Sequence, residues 1–281
     1  METKLIQKYI KDESKQICYY IGGNLESPDT ILFLNGFYHG TESWIKQRRN
    51  KEIRGNYKLV FIDYRGSGSS VQKIRTEFKF EDIIDDVNTV LEKEKIKKVI
   101  IIGFSFGGMV AQWYAHLNKE KVECLILLNT GLRFGKRSLL IADAAKNLIN
   151  DGASLANVFS VIYPYNYSSA YLEKLGDLNY KLLDTYTEYN SDLDSLVNLI
   201  ATIRTVPDIK SVVPEISVPV LLISGDEDAA FPICFQQELK ENLKKCEYHV
   251  LNNCGHASMI EKYQEVNELI VNFLNKNKFK R

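Results

Sequence analysis

Val99-Ile100-Ile101-Ile102-Gly103-Phe104-Ser105-Phe106-Gly107-Gly108-Met109-Val110 is the stretch whose reading decides how this chain folds. Its apolar start has the character of a strand buried on both faces, and the residues from Met109 to Leu117 carry a helical pattern. Between them, Gly-x-Ser-x-Gly marks a turn so tight that side chains flanking Ser105 would crowd. Gly103 and Gly107 leave room, and the serine oxygen projects from the end of the sheet. Ser105 then stands at a helix N-terminus, where the positive end of the helix dipole and free backbone N–H groups favour developing negative charge. About 0.1 chance matches to the motif are expected in a chain this long, so its weight comes from the strand, elbow and helix around it.

Outward from this stretch the same alternation continues. Residues 59–62, 125–128 and 220–223 are further continuous apolar runs, and 17–21 and 31–34 are shorter ones ending in glycine or polar turn residues. Residues 80–94 place Ile83, Ile84, Val87, Val90 and Leu91 at helical spacing among acids. Strand alternating with helix predicts an α/β protein with a mostly parallel, doubly wound sheet. The alternation stops after Thr130, and residues 131–206 show helical patterns broken at 150–152 and at Pro164. Pro207, Pro214 and Pro219 punctuate the return to the sheet. A helix near 232–243, a strand near 248–251 and a helix from about 263 to 274 follow. The expected organisation is a core of residues 1–130 and 207–281 with a helical insert of residues 131–206.

Composition narrows the function classes. The 281 residues carry 36 Lys plus Arg against 36 Asp plus Glu, with 45% hydrophobic residues, as an ordinary globular chain does. Balanced charge, with only small basic clusters at 93–98 and 276–281, gives no footprint for nucleic acid. Five scattered cysteines without a Cys-x-x-Cys pair predict neither a disulfide framework nor a zinc site. Early charges at Glu2, Lys4, Lys8, Lys11, Asp12 and Glu13 break up any signal-peptide region, and no apolar run is long enough to span a membrane. The cytoplasm is the expected location.

A serine hydroxyl needs a base to take its proton and a third group to orient that base. Of the four histidines, His116 lies in the helix after the elbow and His249 within a strand, both as structural residues, whereas His256 follows a strand end and turn, on a loop from which an imidazole can reach Ser105. His39 sits in a loop near the N-terminal strands. For the acid, Asp226, Glu227 and Asp228 compete just after the 220–223 strand. Serine, acid and histidine each follow a predicted strand, in the order found in the nucleophile-elbow hydrolases.

With these motifs the chain resembles the α/β-hydrolase superfamily over most of its length. Gly225-Asp226-Glu227-Asp228 followed by Pro232 looks like the family's acid loop, whose spacing selects Asp228, and Gly255-His256 looks like its histidine loop. Asp63-Tyr64-Arg65-Gly66-Ser67-Gly68-Ser69-Ser70 is similar to a loop of mainly structural role. Its glycines lack the third member of a dinucleotide loop. An oxyanion hole needs two backbone N–H donors. Phe106, next after the nucleophile, supplies one, and the resemblance puts the other at Phe37 in Asn35-Gly36-Phe37-Tyr38-His39-Gly40, where Asn35 replaces a frequent histidine.

The resemblance also implies that the insert is a cap over the nucleophile that selects substrate. Its aromatics Phe159, Tyr163, Tyr165, Tyr167, Tyr171, Tyr180, Tyr186 and Tyr189 are expected mostly to pack the cap, and Tyr38, Phe104, Phe159 and Tyr163 are the pocket candidates. The implied activity is serine hydrolysis of a small or medium carboxylic ester, thioester or lactone through an acyl-enzyme, with no metal or organic cofactor. The partner is a small acyl substrate, and monomer and homodimer are not distinguished. Amides and carbon–carbon bonds stand further from that expectation. A ligand sensor of slow turnover, or a lyase or acyltransferase, are the rival uses of the scaffold.

Overall fold

The structure, a computed structural model, describes residues 4–13, 15–37, 39–72, 78–188 and 193–277, with 71–72, 184–188 and 193–195 described by backbone alone. Tyr38 and Tyr189, and the side chain of Tyr186, therefore lie outside what is described.

Nine strands are present among the described residues: β1 (Ile6–Lys11), β2 (Lys15–Gly23), β3 (Thr30–Leu34), β4 (Lys58–Ile62), β5 (Val71–Gln72), β6 (Val99–Phe104), β7 (Val122–Leu128), β8 (Val220–Gly225) and β9 (Cys246–Leu251). They form one sheet in the order β1-β2-β4-β3-β6-β7-β8-β9, with β5 beside β2. β4, β3, β6, β7, β8 and β9 run parallel, and β2 pairs antiparallel with β1, β4 and β5. Parallel strands need crossovers. The described helices of seven residues or more are α1 (Phe80–Lys93), α2 (Phe106–Leu117), α3 (Lys136–Asn150), α4 (Leu155–Ile162), α5 (Ser169–Leu175), α6 (Leu178–Glu188), α7 (Leu193–Ala201) and α8 (Ile233–Asn242), which lie in the crossovers, and α9 (Tyr263–Lys276), which follows the last strand.

Alternate residues of each parallel strand serve two separate cores. Leu32, Leu34, Ile101, Leu125, Leu127 and Leu222 join one cluster with apolar residues of α1, α2 and α8. Ile31, Phe33, Ile100, Ile102, Ile126 and Ile223 join another with Trp44 and with Val266, Ile270 and Phe273 of α9. That division is why the runs in β3, β4, β6, β7 and β8 are continuously apolar: each of these strands is covered on both faces, whereas the edge strand β9 is half-buried.

β1 has no counterpart in the sequence reading. Its burial is only partial, and it pairs at the sheet edge through backbone bonds that tolerate the charges of Lys8 and Lys11. Between β7 and β8 the chain passes through α3 to α7 and the helical turn Thr202–Thr205, and helical turns continue past residue 206 at Ile209–Val212 and Val213–Glu215. Ile209 and Val213 are fully buried in the α2 side of the core.

The loop after β4 is held by buried charge. Arg65 donates through Nε and Nη2 to the two oxygens of Asp86, each at 2.7 Å. Asp63 accepts from Ser69 N at 3.0 Å and Thr41 Oγ1 at 3.0 Å, and its burial pushes its pKa above the usual carboxylate range. Among the described residues, no helix is long and apolar enough to cross a membrane.

Candidate active site

The carboxyl ends of five of the six parallel strands bring together Asn35 to Phe37 after β3, Ser105 after β6, Asn129 after β7, Asp228 after β8 and His256 after β9. Open parallel sheets gather ligand sites at this end. Ser105 adopts φ 55 and ψ −118, a conformation that non-glycine residues rarely hold. The surroundings impose it. Ser105 N donates to Leu128 O at 2.9 Å, and its carbonyl accepts from Thr130 Oγ1 at 2.7 Å and Gly108 N at 3.0 Å. A Cβ on Gly103 would lie 2.5 Å from Gly107 O, and one on Gly107 would strike Leu34 O, so the elbow closes only with glycine at both positions.

Ser105 Oγ lies 2.9 Å from His256 Nε2, and His256 Nδ1 lies 3.0 Å from the Asp228 carboxylate. All three residues are buried. A carboxylate only accepts, so Nδ1 carries the imidazole proton, and Nε2 is left as the acceptor for the serine hydroxyl. Asp228 is itself surrounded by donors. Oδ1 accepts from Ala230 N at 2.9 Å and Phe231 N at 2.8 Å, and Oδ2 from Asn129 Nδ2 at 3.0 Å and Gln236 Nε2 at 3.3 Å.

The competing acids face elsewhere. Asp226 Oδ1 accepts from Cys254 N at 3.0 Å, bracing the histidine loop, and Glu227 Oε2 accepts from Ser169 N at 3.3 Å at the start of α5. Asn129 and Gln236 were not legible as site residues. The Asn129 amide also donates to Gly255 O at 3.2 Å and accepts from Ser258 Oγ, tying acid and histidine loops together. The available signal was an asparagine directly after a strand, where its tolerance of positive φ, here 49, is of use. His116 and His249 lie away from the site and pair with Glu215 at 3.3 Å and Glu247 at 3.1 Å.

On the opposite side of Ser105, the β3 loop approaches so closely that a Cβ on Gly36 would be 3.2 Å from Ser105 Cβ. The Phe37 ring stacks on Phe106 with centroids 4.1 Å apart, fixing the two residues expected to present N–H groups. Asn35 does not leave the loop unsupported. Its Nδ2 donates to Ile62 O at 3.0 Å and its Oδ1 accepts from Trp44 Nε1 at 2.6 Å, all within the core. Asn35→Ala strips partners from both buried groups, at about 1–3 kcal/mol each, and is expected to lower unfolding free energy by roughly 3 kcal/mol in urea titration. A loss below about 1 kcal/mol would show that these bonds do not hold the loop.

His39 supports the same loop. Its Nδ1 lies 2.6 Å from Phe37 O, and its backbone N donates to Gly36 O at 3.3 Å. Burial pushes the imidazole pKa down to about 4, outweighing the opposite pull of the Phe37 carbonyl, and the nearby His256 adds to the lowering.

A cavity of about 80 Å³ lies over Ser105 and His256, and Phe134, Ile141, Ile162, Ile203 and Phe231 are among its walls. Three pocket candidates stand elsewhere. Phe104 is packed beneath the site, between the rings of His39 and His256, because it continues the strand face that carries Ile102. Tyr163 turns into the helical segment, donating its hydroxyl to Asn179 Oδ1 at 3.0 Å and packing on Tyr167. Phe159 is buried without lining the cavity. The fourth candidate, Tyr38, is outside the described residues. A larger groove, about 780 Å³, opens at the other end of the strands among residues such as Lys58, Glu94 and Lys98, far from the serine.

This elbow, sheet order and strand-end cluster define an enzyme-type α/β scaffold, and comparison with known proteins agrees. The family described as alpha/beta hydrolase fold matches residues 29–160, and the one described as TAP-like protein matches residues 201–281. The chain belongs to the α/β-hydrolase superfamily. It is 25% identical over 271 residues, 94% of its length and 93% of the relative's, to a 2-hydroxy-6-oxononadienedioate/2-hydroxy-6-oxononatrienedioate hydrolase of Cupriavidus pinatubonensis. Among solved structures it is similar to MGS-M2, an alpha/beta hydrolase enzyme from a Medee basin deep-sea metagenome library. The TM-score is 0.87 at 25% identity, covering 98% of this chain and 99% of that one. The enol-lactonase of Burkholderia xenovorans LB400 shares the fold with a TM-score of 0.83 at 21% identity, covering 95% and 100%.

Proposed function

We propose that this chain is a serine hydrolase in which Ser105 attacks a carbonyl carbon, His256 moves the proton and Asp228 orients the imidazole. The observation that carries the reading is the buried line from Ser105 Oγ through His256 to Asp228, at 2.9 Å and 3.0 Å. As Oγ bonds to the carbonyl carbon, its proton passes to Nε2, and the imidazolium is stabilised by the carboxylate. The carbonyl oxygen, now negative, is received by the backbone N–H groups of Phe37 and Phe106. His256 returns the proton to the leaving group, giving an acyl-enzyme, and then activates the water that releases the acid. Residues 131–206 act as the cap, since α3, α4 and α7 contribute to the wall opposite Ser105.

The bond is a carboxylic ester, thioester or lactone, all of which this proton path serves without further groups. Cleavage beside a ketone is a second reading, favoured by the Cupriavidus relative named for 6-oxo substrates. The test is repeated-turnover release of p-nitrophenol from esters of acetyl to palmitoyl length, with Ser105→Ala as blank. A cavity of about 80 Å³ is smaller than the roughly 150 Å³ void that accepts benzene, so the optimum is expected at or below about six carbons. A burst of one equivalent that stalls would favour a ligand sensor, and transfer to an added alcohol without net water uptake would favour an acyltransferase. Absence of Ser105-dependent release at every length would remove the ester reading.

A further inference from the structure

The relative with the dioate name acts on a substrate bearing two carboxylates, and this chain's cavity poses the question of where a second one would go. Among the described residues, none of those lining the cavity is Asp, Glu, Lys or Arg. Three arginines adjoin lining residues in sequence: Arg133 beside Phe134, Arg137 beside Ser138 and Arg204 beside Ile203. All three are exposed. Arg133 lies over the Phe235 ring at 4.3 Å and 3.6 Å from Glu238, and Arg204 donates to Asp143 at 2.7 Å. Of the other polar residues in the wall, Ser138 donates to Ala230 O at 2.6 Å, and Tyr165 and Asn166 are uncharged.

We infer that the site accepts an uncharged apolar acyl group and rejects an acyl group that ends in a carboxylate. The inference rests on the serine-hydrolase reading for its kinetic form, although the binding preference stands apart from it. A carboxylate entering between Phe134, Ile141, Ile162 and Ile203 would shed its hydration with no Lys or Arg among the described lining residues to replace it. A methyl group in the same place loses nothing polar and gains apolar contact. His39 is kept neutral by burial, and His256 turns its Nδ1 to Asp228, 3.0 Å away, rather than toward the apolar wall. Selectivity of this kind comes from what the wall refuses, and it separates this chain's substrate class from that of the dioate hydrolase it resembles.

The experiment uses two chains of equal length. kcat/KM for p-nitrophenyl hexanoate is expected to exceed that for mono-p-nitrophenyl adipate by about 100-fold or more. In parallel, the melting temperature of Ser105→Ala is read with methyl hexanoate and with monomethyl adipate, and only the neutral ester is expected to raise it. Equal or better use or binding of the adipate overturns the inference, as does the lack of a shift with either ligand. Turnover of neither ester together with a shift from methyl hexanoate alone would remove the serine-esterase reading and leave the neutral-ligand inference standing. Arg133→Ala, Arg137→Ala and Arg204→Ala are expected to leave the selectivity unchanged. A variant that shifts the ratio of the two esters tenfold reveals a cation reaching the acyl group and overturns it as well.

Discussion

Ser105→Ala is expected to lower kcat/KM on the best ester by roughly 10⁴- to 10⁶-fold while leaving the melting temperature close to that of the parent. The size follows from what the hydroxyl does. Without Oγ no acyl-enzyme forms, and what remains is direct attack by water assisted by His256 and the backbone donors. The small effect on stability follows from the packing. Alanine keeps the Cβ that already fits beside Gly36, and it removes a single hydroxyl whose partner, His256 Nε2, lines a cavity. Its backbone still needs φ 55, but serine bears the same strain, so the substitution neither adds nor relieves it.

His256→Ala should be as severe in rate and costlier in stability. The ring packs 4.8 Å from that of Phe104 and 5.9 Å from that of Phe231, and its deletion leaves a hole of aromatic size worth about 2–4 kcal/mol. Steady-state kinetics on both variants, with thermal melts, provides the check. Ser105→Ala activity within tenfold of the parent would remove the nucleophile from Ser105.

Most of the sheet was legible because burial on both faces writes itself as consecutive apolar residues: Leu59 to Ile62, Val99 to Ile102 and Val220 to Ile223 all lie in parallel strands. β1 was not, since an edge strand half open to solvent needs no such run. The serine was legible for a local reason, as the Gly-x-Ser-x-Gly turn states its own geometry in five residues. The wall of the cavity was not. Whether Tyr163 faces substrate or Asn179 depends on how the turn that follows α4 sits against α6, which no single residue encodes. Phe104 is a different case: strand alternation alone puts it on the face of Ile102 and beneath the loop ends. Asn35 shows the reverse situation. A departure from the family's usual residue carried no explanation until Trp44 and Ile62 were seen to bracket its amide.

The acid was the least legible member of the site, and it yields the second large effect: Asp228→Asn is expected to lower kcat by about 10⁴-fold, whereas Asp226→Asn and Glu227→Gln stay within about tenfold of the parent. All three substitutions remove one negative charge from the same loop, so the contrast tests geometry rather than net charge. Around Asp228 every neighbour donates: Ala230 N and Phe231 N to Oδ1, and Asn129, Gln236 and His256 Nδ1 toward Oδ2. An asparagine must put its NH₂ in one of those two places, so donor meets donor whichever way the amide turns. With the NH₂ toward His256, the imidazole is driven to the tautomer protonated at Nε2, which cannot accept the serine proton. With it toward Ala230 and Phe231, two buried N–H groups lose their acceptor, and the turn that positions residue 228 loosens. Asp226 and Glu227 each have one described backbone donor, from Cys254 and Ser169, and an amide oxygen receives it as well as a carboxylate oxygen does. Kinetics of the three variants on one ester, alongside urea melts, separates the cases. A mild Asp228→Asn beside a severe Asp226→Asn or Glu227→Gln would move the acid to the other residue, and His256 would then have to turn away from the oxygen it faces at 3.0 Å.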